Sequence, residues 1–222
     1  MHLSSALAKL FEGIIIKRLT QYTEQHSTLT DNQLGTRSNR QIHDTIYSII
    51  AIIQHNFFAK GQPTYVAFLD FATAFPSVFR EGLLSTMHER NIVVKIGVLH
   101  PKIRQSSEAE ILRGLPEGSR LSPTLFGIVV ADLIHWHELQ HWSPNATITH
   151  NSNSVWIGGI LYVDDLCLIS THAQELQEMI HVCQAWSEKA RMQINANKSK
   201  IMAFHEIAQQ KNAGQKPMKT GG

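Results

Sequence analysis

The sequence predicts an α+β domain: one small antiparallel sheet with several helices packed over it. Three observations lead there. Short apolar, strand-like runs stand at Thr64–Leu69, Val155–Val163, Leu166–Ser170 and Ser199–Phe204. Longer segments between them repeat apolar residues at helical spacing. Turn formers, rather than repeats or linkers, separate the two kinds of segment.

Taken in order, Leu3, Leu7, Leu10, Ile14 and Ile15 predict an amphipathic helix over about residues 3–25. The polar stretch Thr28–Arg40 follows, then a second helical pattern from Ile42 to Phe58. Gly61-Gln62-Pro63 ends it, and TYVAFL reads as a buried strand finishing at Asp70. Residues 80–90 are helical in pattern, and Ile92–Glu110 mixes strand-favouring and breaking residues. A loop from Gly114 to Pro123 leads into an apolar helix, Thr124 to about Trp142, with Pro144 behind it. The Val155–Val163 and Leu166–Ser170 runs are separated by Asp164-Asp165. A helix from Gln174 to Met192 and a strand over Ser199–Phe204 complete the ordered part, and the polar tail 209–222 is expected to be disordered.

Composition excludes several classes. Of the 222 residues 43% are hydrophobic and 17% charged, too apolar for a disordered chain. The net charge of +2 does not by itself indicate nucleic acid. Two cysteines imply no disulfide framework and suit a reducing compartment. No run approaches the ~20 apolar residues of a membrane span, so a soluble, intracellular protein without a membrane partner is expected.

The chemistry-bearing residues are carboxylates. Asp164 and Asp165 sit between two apolar runs, at or beside a hairpin turn if these pair. Acids so placed repel one another and invite a divalent cation; a solvated Asp-rich turn is the simpler alternative. Asp70 ends another buried strand. Were the strands neighbours, three carboxylates would converge and could hold two Mg²⁺ ions, an arrangement suited to in-line phosphoryl displacement. Separately, His137, Glu138 and His141 match the H-E-x-x-H zinc-protease signature on a predicted helix, with no evident third ligand.

The ordered blocks Leu69-Asp70-Phe71-Ala72-Thr73-Ala74-Phe75, Gly114-Leu115-Pro116-Glu117-Gly118 running on to Phe126, and Tyr162-Val163-Asp164-Asp165 resemble the reverse transcriptases of non-LTR (LINE-like) retrotransposons. Lys9–Leu19, Asn32–Arg37 and Trp186–Met202 agree with that family's flanking blocks, so the resemblance covers roughly residues 5–205. It implies a right-hand-like polymerase: fingers over 1–63, a palm over 64–208 with its antiparallel sheet backed by helices, and no thumb. It implies RNA-directed DNA polymerisation, a nucleotidyl transfer from dNTPs to a DNA primer 3′-hydroxyl on an RNA template, with two Mg²⁺ ions or Mn²⁺ in their place. By analogy the compartment would be the nucleus; the oligomeric state is left open.

The resemblance also implies roles. Asp70 and Asp164 would be the metal-bridging catalytic carboxylates, with Asp165 as the third metal-site acid, and the carbonyl of Phe71 would complete a metal site. Phe75 would be the gate that excludes a 2′-hydroxyl; a core aromatic is the plainer reading. Gly114, Pro116, Glu117 and Gly118 would shape the template and nucleotide pocket, and Lys198 would lie near the leaving pyrophosphate. Arg37 and Arg40 would contact the triphosphate or template backbone, to which a guanidinium fork is suited. The chain departs from the pattern in having Glu117 where the family usually has Gln, a short stretch between Asp70 and Gly114, and an end soon after the fourth block. These departures make a catalytically inactive remnant, with at most weak nucleic-acid binding, the main competitor.

Overall fold

The longest strand organises the sheet. In the computed structural model, which describes residues 6–92, 113–116, 118–133, 136–150 and 152–205, the elements run in order as follows. Helices α1 (Ala6–Gln25) and α2 (Ile42–Lys60) precede strand β1 (Thr64–Ala72). The short α3 (Ala74–Ser77) and α4 (Arg80–Glu89) come next, then α5 (Ser122–Leu133) and α6 (Trp136–Trp142). Strands β2 (Thr147–His150), β3 (Asn153–Trp156), β4 (Gly159–Tyr162) and β5 (Asp165–Ser170) follow, and α7 (Ala173–Lys189), β6 (Gln193–Ile194) and β7 (Lys200–Phe204) end the series.

β1 lies inside the sheet because most of its residues are β-branched, aromatic or small and it buries residues on both faces. It pairs antiparallel with β5 from Tyr65↔Ser170 to Asp70↔Asp165. Its other edge takes β7 over Thr64–Phe68 and β6 at Phe71 and Ala72. β4 joins beyond β5. The two-residue pleat then sorts β1 between two cores. Ala67, Leu69 and Phe71 enter the larger one with Leu83 and Met87 of α4, Phe126 of α5 and Met179 of α7. Val66 enters a smaller one with Ile160, Cys167 and Ile169 of the sheet and Ile52 and Ile53 of α2. Helices therefore cover both faces, and α2 takes the second.

α2 ends where the sequence predicts. The Gln41 N–H donates to Asp44 Oδ2 at 2.6 Å in a capping box. Gly61, with φ +61°, closes the helix by donating its N–H to the Phe57 carbonyl. Pro63 and β1 follow directly.

Three expectations are corrected. The stripe Leu7, Leu10 and Ile14 of α1 is exposed, because the helix meets the core through Leu19 with Ile15, Ile16 and Tyr22 packed beside it. The expected helix from Thr124 to Trp142 is helical over α5 and α6, and 134–135 lie outside the described residues. The expected strand Val155–Val163 is divided: β3 pairs with β2 in a separate hairpin, and β4 starts at Gly159. The physical reason is Gly158, where a Cβ would meet the Trp156 indole at 2.7 Å. That indole donates to the Ser143 carbonyl at 2.7 Å and turns β3 away from the main sheet. β1 also continues past Asp70 to Ala72, where it pairs with β6, so Asp70 is within the strand while ending its ladder with β5. Glu117, the difficult stretch beyond Ile92 and the 209–222 tail lie outside the described residues. Among the described residues, no helix is long and apolar enough to cross a membrane.

Leu168 is fully buried on β5, opposite Ala67 and Gly159. Leu168→Ala is expected to cost about 2–5 kcal/mol, the range for a leucine cavity in a close-packed core. Urea unfolding checks it: the midpoint falls while the slope stays the same.

Candidate active site

The β1–β5 register sets Asp70 directly opposite Asp165, on the face that carries Val66 and Phe68. Directly opposed residues of an antiparallel pair share a face. Across the β4–β5 hairpin Tyr162 pairs with Asp165, so Val163 and Asp164 form its turn. Val163 adopts φ +59°, a genuine outlier for a β-branched residue, at a cost on the order of 1–3 kcal/mol.

Asp70 is held by its backbone. Its N–H donates to Ser199 Oγ at 3.1 Å, and its carbonyl accepts from the Asn195 N–H at 2.8 Å. The turn between β6 and β7 is tied in the same way: the Asn195 carbonyl accepts from the N–H groups of Lys198 and Ser199, and its Oδ1 accepts from the Asn197 N–H. This brings Lys198 Nζ to 3.8 Å from Asp70 Oδ2, an oxygen that is buried and has no hydrogen-bond partner. Asp165 is exposed as a residue, yet its carboxyl is held above the ordinary carboxylate range. Desolvation is the first cause, and the charges of Asp164 and Asp70 add to it. Asp70, Asp165, Tyr162 and Lys198 line a cleft of about 380 Å³ whose opposite wall includes Ile42, Thr45, Ile46 and Ile49 of α2.

The expectation of three converging carboxylates is met only in part. Asp70 faces Asp165 with Asp164 next to it in the turn, but among the described residues no three acidic, His or Cys side chains are gathered closely enough to hold a metal ion. The reason lies in the chain geometry, since Asp164 stands in the turn while Asp165 is already on β5 opposite Asp70. The donor chemistry nonetheless fits a hard divalent cation. One buried carboxylate oxygen has no hydrogen bond, and Asp165 sits beside the negative charges of Asp164 and Asp70.

Phe71 turns its ring into the core, 5.3 Å edge-on to Trp186. The half-buried ring of Phe75 lies 5.3 Å from that of Phe126, and its carbonyl accepts from the Leu115 N–H at 2.8 Å. Gly114, at φ +94°, donates to the Val78 carbonyl, and a Cβ there would come to 3.3 Å from the Pro76 oxygen. Arg80 Nε donates to the Gly114 carbonyl at 2.7 Å. Pro116 is exposed and its carbonyl accepts from Ser122 Oγ at 2.8 Å, at the start of α5; Gly118 follows at φ +78°. The Gly114 block is thus strapped to the chain just beyond Asp70.

The arginines are placed differently. Arg37 forms a two-pronged pair with Glu24, Nε to Oε1 at 3.1 Å and Nη2 to Oε2 at 2.8 Å, and Nη1 donates to the Thr30 carbonyl. Its fork is committed to joining the 30–37 segment to α1, and the Glu24 carboxyl is lowered chiefly by that hydrogen bond. Arg40 is more exposed, 4.0 Å from Asp31. His137, Glu138 and His141 are exposed on α6, and among the described residues no third donor completes a metal site with them. Both cysteines are buried, which pushes their thiols up to about 12.

Asn195 and Ser199 were not singled out as site residues by the sequence reading. The only local signal for them is the cluster of turn formers Asn195-Ala196-Asn197-Lys198-Ser199 between two strands.

A central antiparallel sheet presenting an acid-bearing hairpin beside a second acidic strand defines a polymerase-like fold, and solved structures agree. The fold is similar to apo telomerase from Candida tropicalis, with a TM-score of 0.57 at 12% identity, covering 89% of this chain and 41% of that one. It is equally similar to Candida tropicalis telomerase in complex with a TWJ fragment of telomeric RNA, at 11% identity over 94% of this chain and 34% of that one, TM-score 0.57. The chain belongs to the reverse transcriptase (RNA-dependent DNA polymerase) family, which it matches over residues 1–220. It is 28% identical over 216 residues to a probable RNA-directed DNA polymerase from transposon BS of Drosophila melanogaster, covering 89% of this chain. It is 25% identical over 225 residues to the RNA-directed DNA polymerase from mobile element jockey of the same organism, covering 90% of this chain. It spans 22% of the length of each.

Because Asp165 is held above its ordinary range, the folded chain keeps this proton to higher pH than the unfolded chain does. Stability is therefore lost as pH rises from the ordinary carboxylate value through the raised one. Asp165→Asn removes that loss. Thermal melts in EDTA should give the variant the higher Tm at pH 7 and the same Tm as the parent below the carboxylate range.

Proposed function

We propose that this chain is the catalytic part of an RNA-directed DNA polymerase, joining dNTPs to the 3′-hydroxyl of a DNA primer on an RNA template. The observation that carries this reading is the pairing of Asp70 with Asp165 beside the Asp164 turn, with one Asp70 oxygen buried and without a hydrogen bond. Asp70, Asp164 and Asp165 would hold two divalent cations, Mg²⁺ or Mn²⁺ in its place. When bound, such ions stabilise the charge on the attacking and leaving oxygens of an in-line displacement.

The chain's own residues supply the rest. Lys198, 3.8 Å from Asp70, is the cation that would balance the departing pyrophosphate. The Phe71 carbonyl would add an oxygen ligand beside Asp70. Phe75, fixed between Phe126 and the Leu115 amide, would gate against a 2′-hydroxyl. Gly114, Pro116 and Gly118, with Glu117 between them, would border the template and nucleotide. Arg40, the more exposed of the two arginines, would meet the polyanionic backbone, while Arg37 would serve that loop through Glu24. In this reading residues 1–63 act as fingers and 64–208 as palm, and the nucleus is the compartment of action. One observation favours a second reading, an inactive remnant that binds nucleic acid weakly: the three carboxylates are not gathered as a ready-made ligand set.

Primer extension on an RNA template with Mg²⁺ separates the two. The polymerase reading expects extension that Asp164→Asn lowers by more than about 10²-fold, the scale of losing one charge-stabilising group. A folded parent chain that extends no primer leaves the remnant.

A further inference from the structure

The site described above does not account for one close contact. The backbone of Gly35 lies against the tip of the acid-bearing hairpin, more than a hundred residues away in sequence. A Cβ at Gly35 would overlap the backbone nitrogen of Val163, come 2.9 Å from its Cγ2 and lie 3.1 Å from the Tyr162 carbonyl carbon. Gly35 itself is not in the left-handed region, so its backbone conformation would accept an alanine; only the lack of space demands glycine. Its neighbours clamp the same hairpin. The Leu34 N–H donates to the Leu161 carbonyl at 2.8 Å, and the Leu161 N–H donates to the Asn32 carbonyl at 2.8 Å. Asn32 Nδ2 reaches the carbonyls of Gly159 at 2.6 Å and Trp156 at 3.2 Å. Gln33 Nε2 anchors the segment to the Gly127 carbonyl of α5, and Arg37 anchors it to Glu24 of α1.

From this geometry we infer that Gly35 is a positioning residue, pressing the 32–36 segment onto the hairpin so that Val163 stays in its left-handed conformation and Asp165 stays opposite Asp70 with Asp164 beside it in the turn. The observations fit one mechanical account. Val163 is strained, and strain of this kind persists only where surrounding structure over-determines it. The segment that supplies the constraint is itself fixed at both ends by buried or charge-assisted hydrogen bonds. Gly35 touches no reacting group, and it acts through the turn that carries two of the three acids. This inference rests on the polymerase reading of the same acids.

The test compares the parent chain with Gly35→Ala, Val163→Gly and the double variant, using Mn²⁺ affinity read by electron paramagnetic resonance together with primer extension. Gly35→Ala should weaken Mn²⁺ binding about 10–100-fold, the range for losing a group that orients metal ligands. It should lower kcat while leaving KM for the primer–template unchanged. The double variant should regain part of the Mn²⁺ affinity, because glycine at 163 has no Cγ2 and a freer backbone, which lets the turn move away from the added methyl at a smaller cost. Parent-like Mn²⁺ affinity in Gly35→Ala, or additive losses in the double variant, overturns the proposal. If Gly35→Ala alone does not fold, a folded double variant with restored affinity supports the proposal, and a double variant that is unfolded or without affinity overturns it. If the parent chain binds no Mn²⁺, the polymerase reading fails separately, and amide exchange at Leu34 and Leu161 decides the brace. Exchange that is faster in Gly35→Ala and slowed again in the double variant supports it, and unchanged exchange overturns it.

Discussion

The ladder between β1 and β5 runs from Tyr65 opposite Ser170 to Asp70 opposite Asp165, and every other feature of the site depends on that register. A slip of one residue would exchange the two faces of β1. Ala67, Leu69 and Phe71 would leave the larger core, while Val66, Phe68 and Asp70 would turn into it. Burying an unpaired carboxylate costs several kcal/mol at least, on top of the apolar area lost. The hydrophobic pattern of one strand therefore holds two carboxylates face to face, although the carboxylates themselves repel.

That repulsion is not relieved within the described chain. Lys198 is the nearest cation to Asp70, but at 3.8 Å and on an exposed stem it offers little stabilisation. Asp165 is instead held partly against ionisation by burial and by its two acidic neighbours. Such an arrangement lowers stability, and in exchange it leaves oxygens ready for an external positive charge. α2 sharpens the effect by placing isoleucines across the cleft and lowering the local dielectric beside the acids.

Around the acids, three segments far apart in sequence meet at one end of the sheet. Asn195 and Ser199 hold the backbone of Asp70. The Gly114–Pro116 strand of chain is fastened to Phe75, Val78 and Arg80 just beyond it. Asn32, Leu34 and Gly35 brace β4 and the hairpin turn. In each case hydrogen bonds to backbone groups do the fastening, with small or turn-forming residues where the chains approach closely. This explains why Gly35 and Gly114 accept no Cβ without displacement, and why Arg37 is spent on Glu24 rather than left free toward a ligand.

Much of this was legible in the residues. The alternation and β-branching of TYVAFLDFA, the Gly61-Gln62-Pro63 stop and the apolar runs flanking Asp164-Asp165 are local patterns, and local physics is enough to read them. The ordered blocks around Asp70, Gly114 and Tyr162 were sufficient for the family. Other features were not legible because they depend on partners distant in the chain. The exposure of Leu7, Leu10 and Ile14 depends on where the core ends. The break between β3 and β4 depends on the Trp156 indole reaching Ser143. The pairing of Arg37 depends on a glutamate in the preceding helix, and the spacing of the three acids depends on register and turn conformation together. The sequence by itself determined the longer helices, the central strands and the family they compose, since these follow from periodicity and residue type. Only the tertiary structure decided which charges face one another and which are already paired, since a hydrogen bond or a desolvation cost exists only once two distant segments touch.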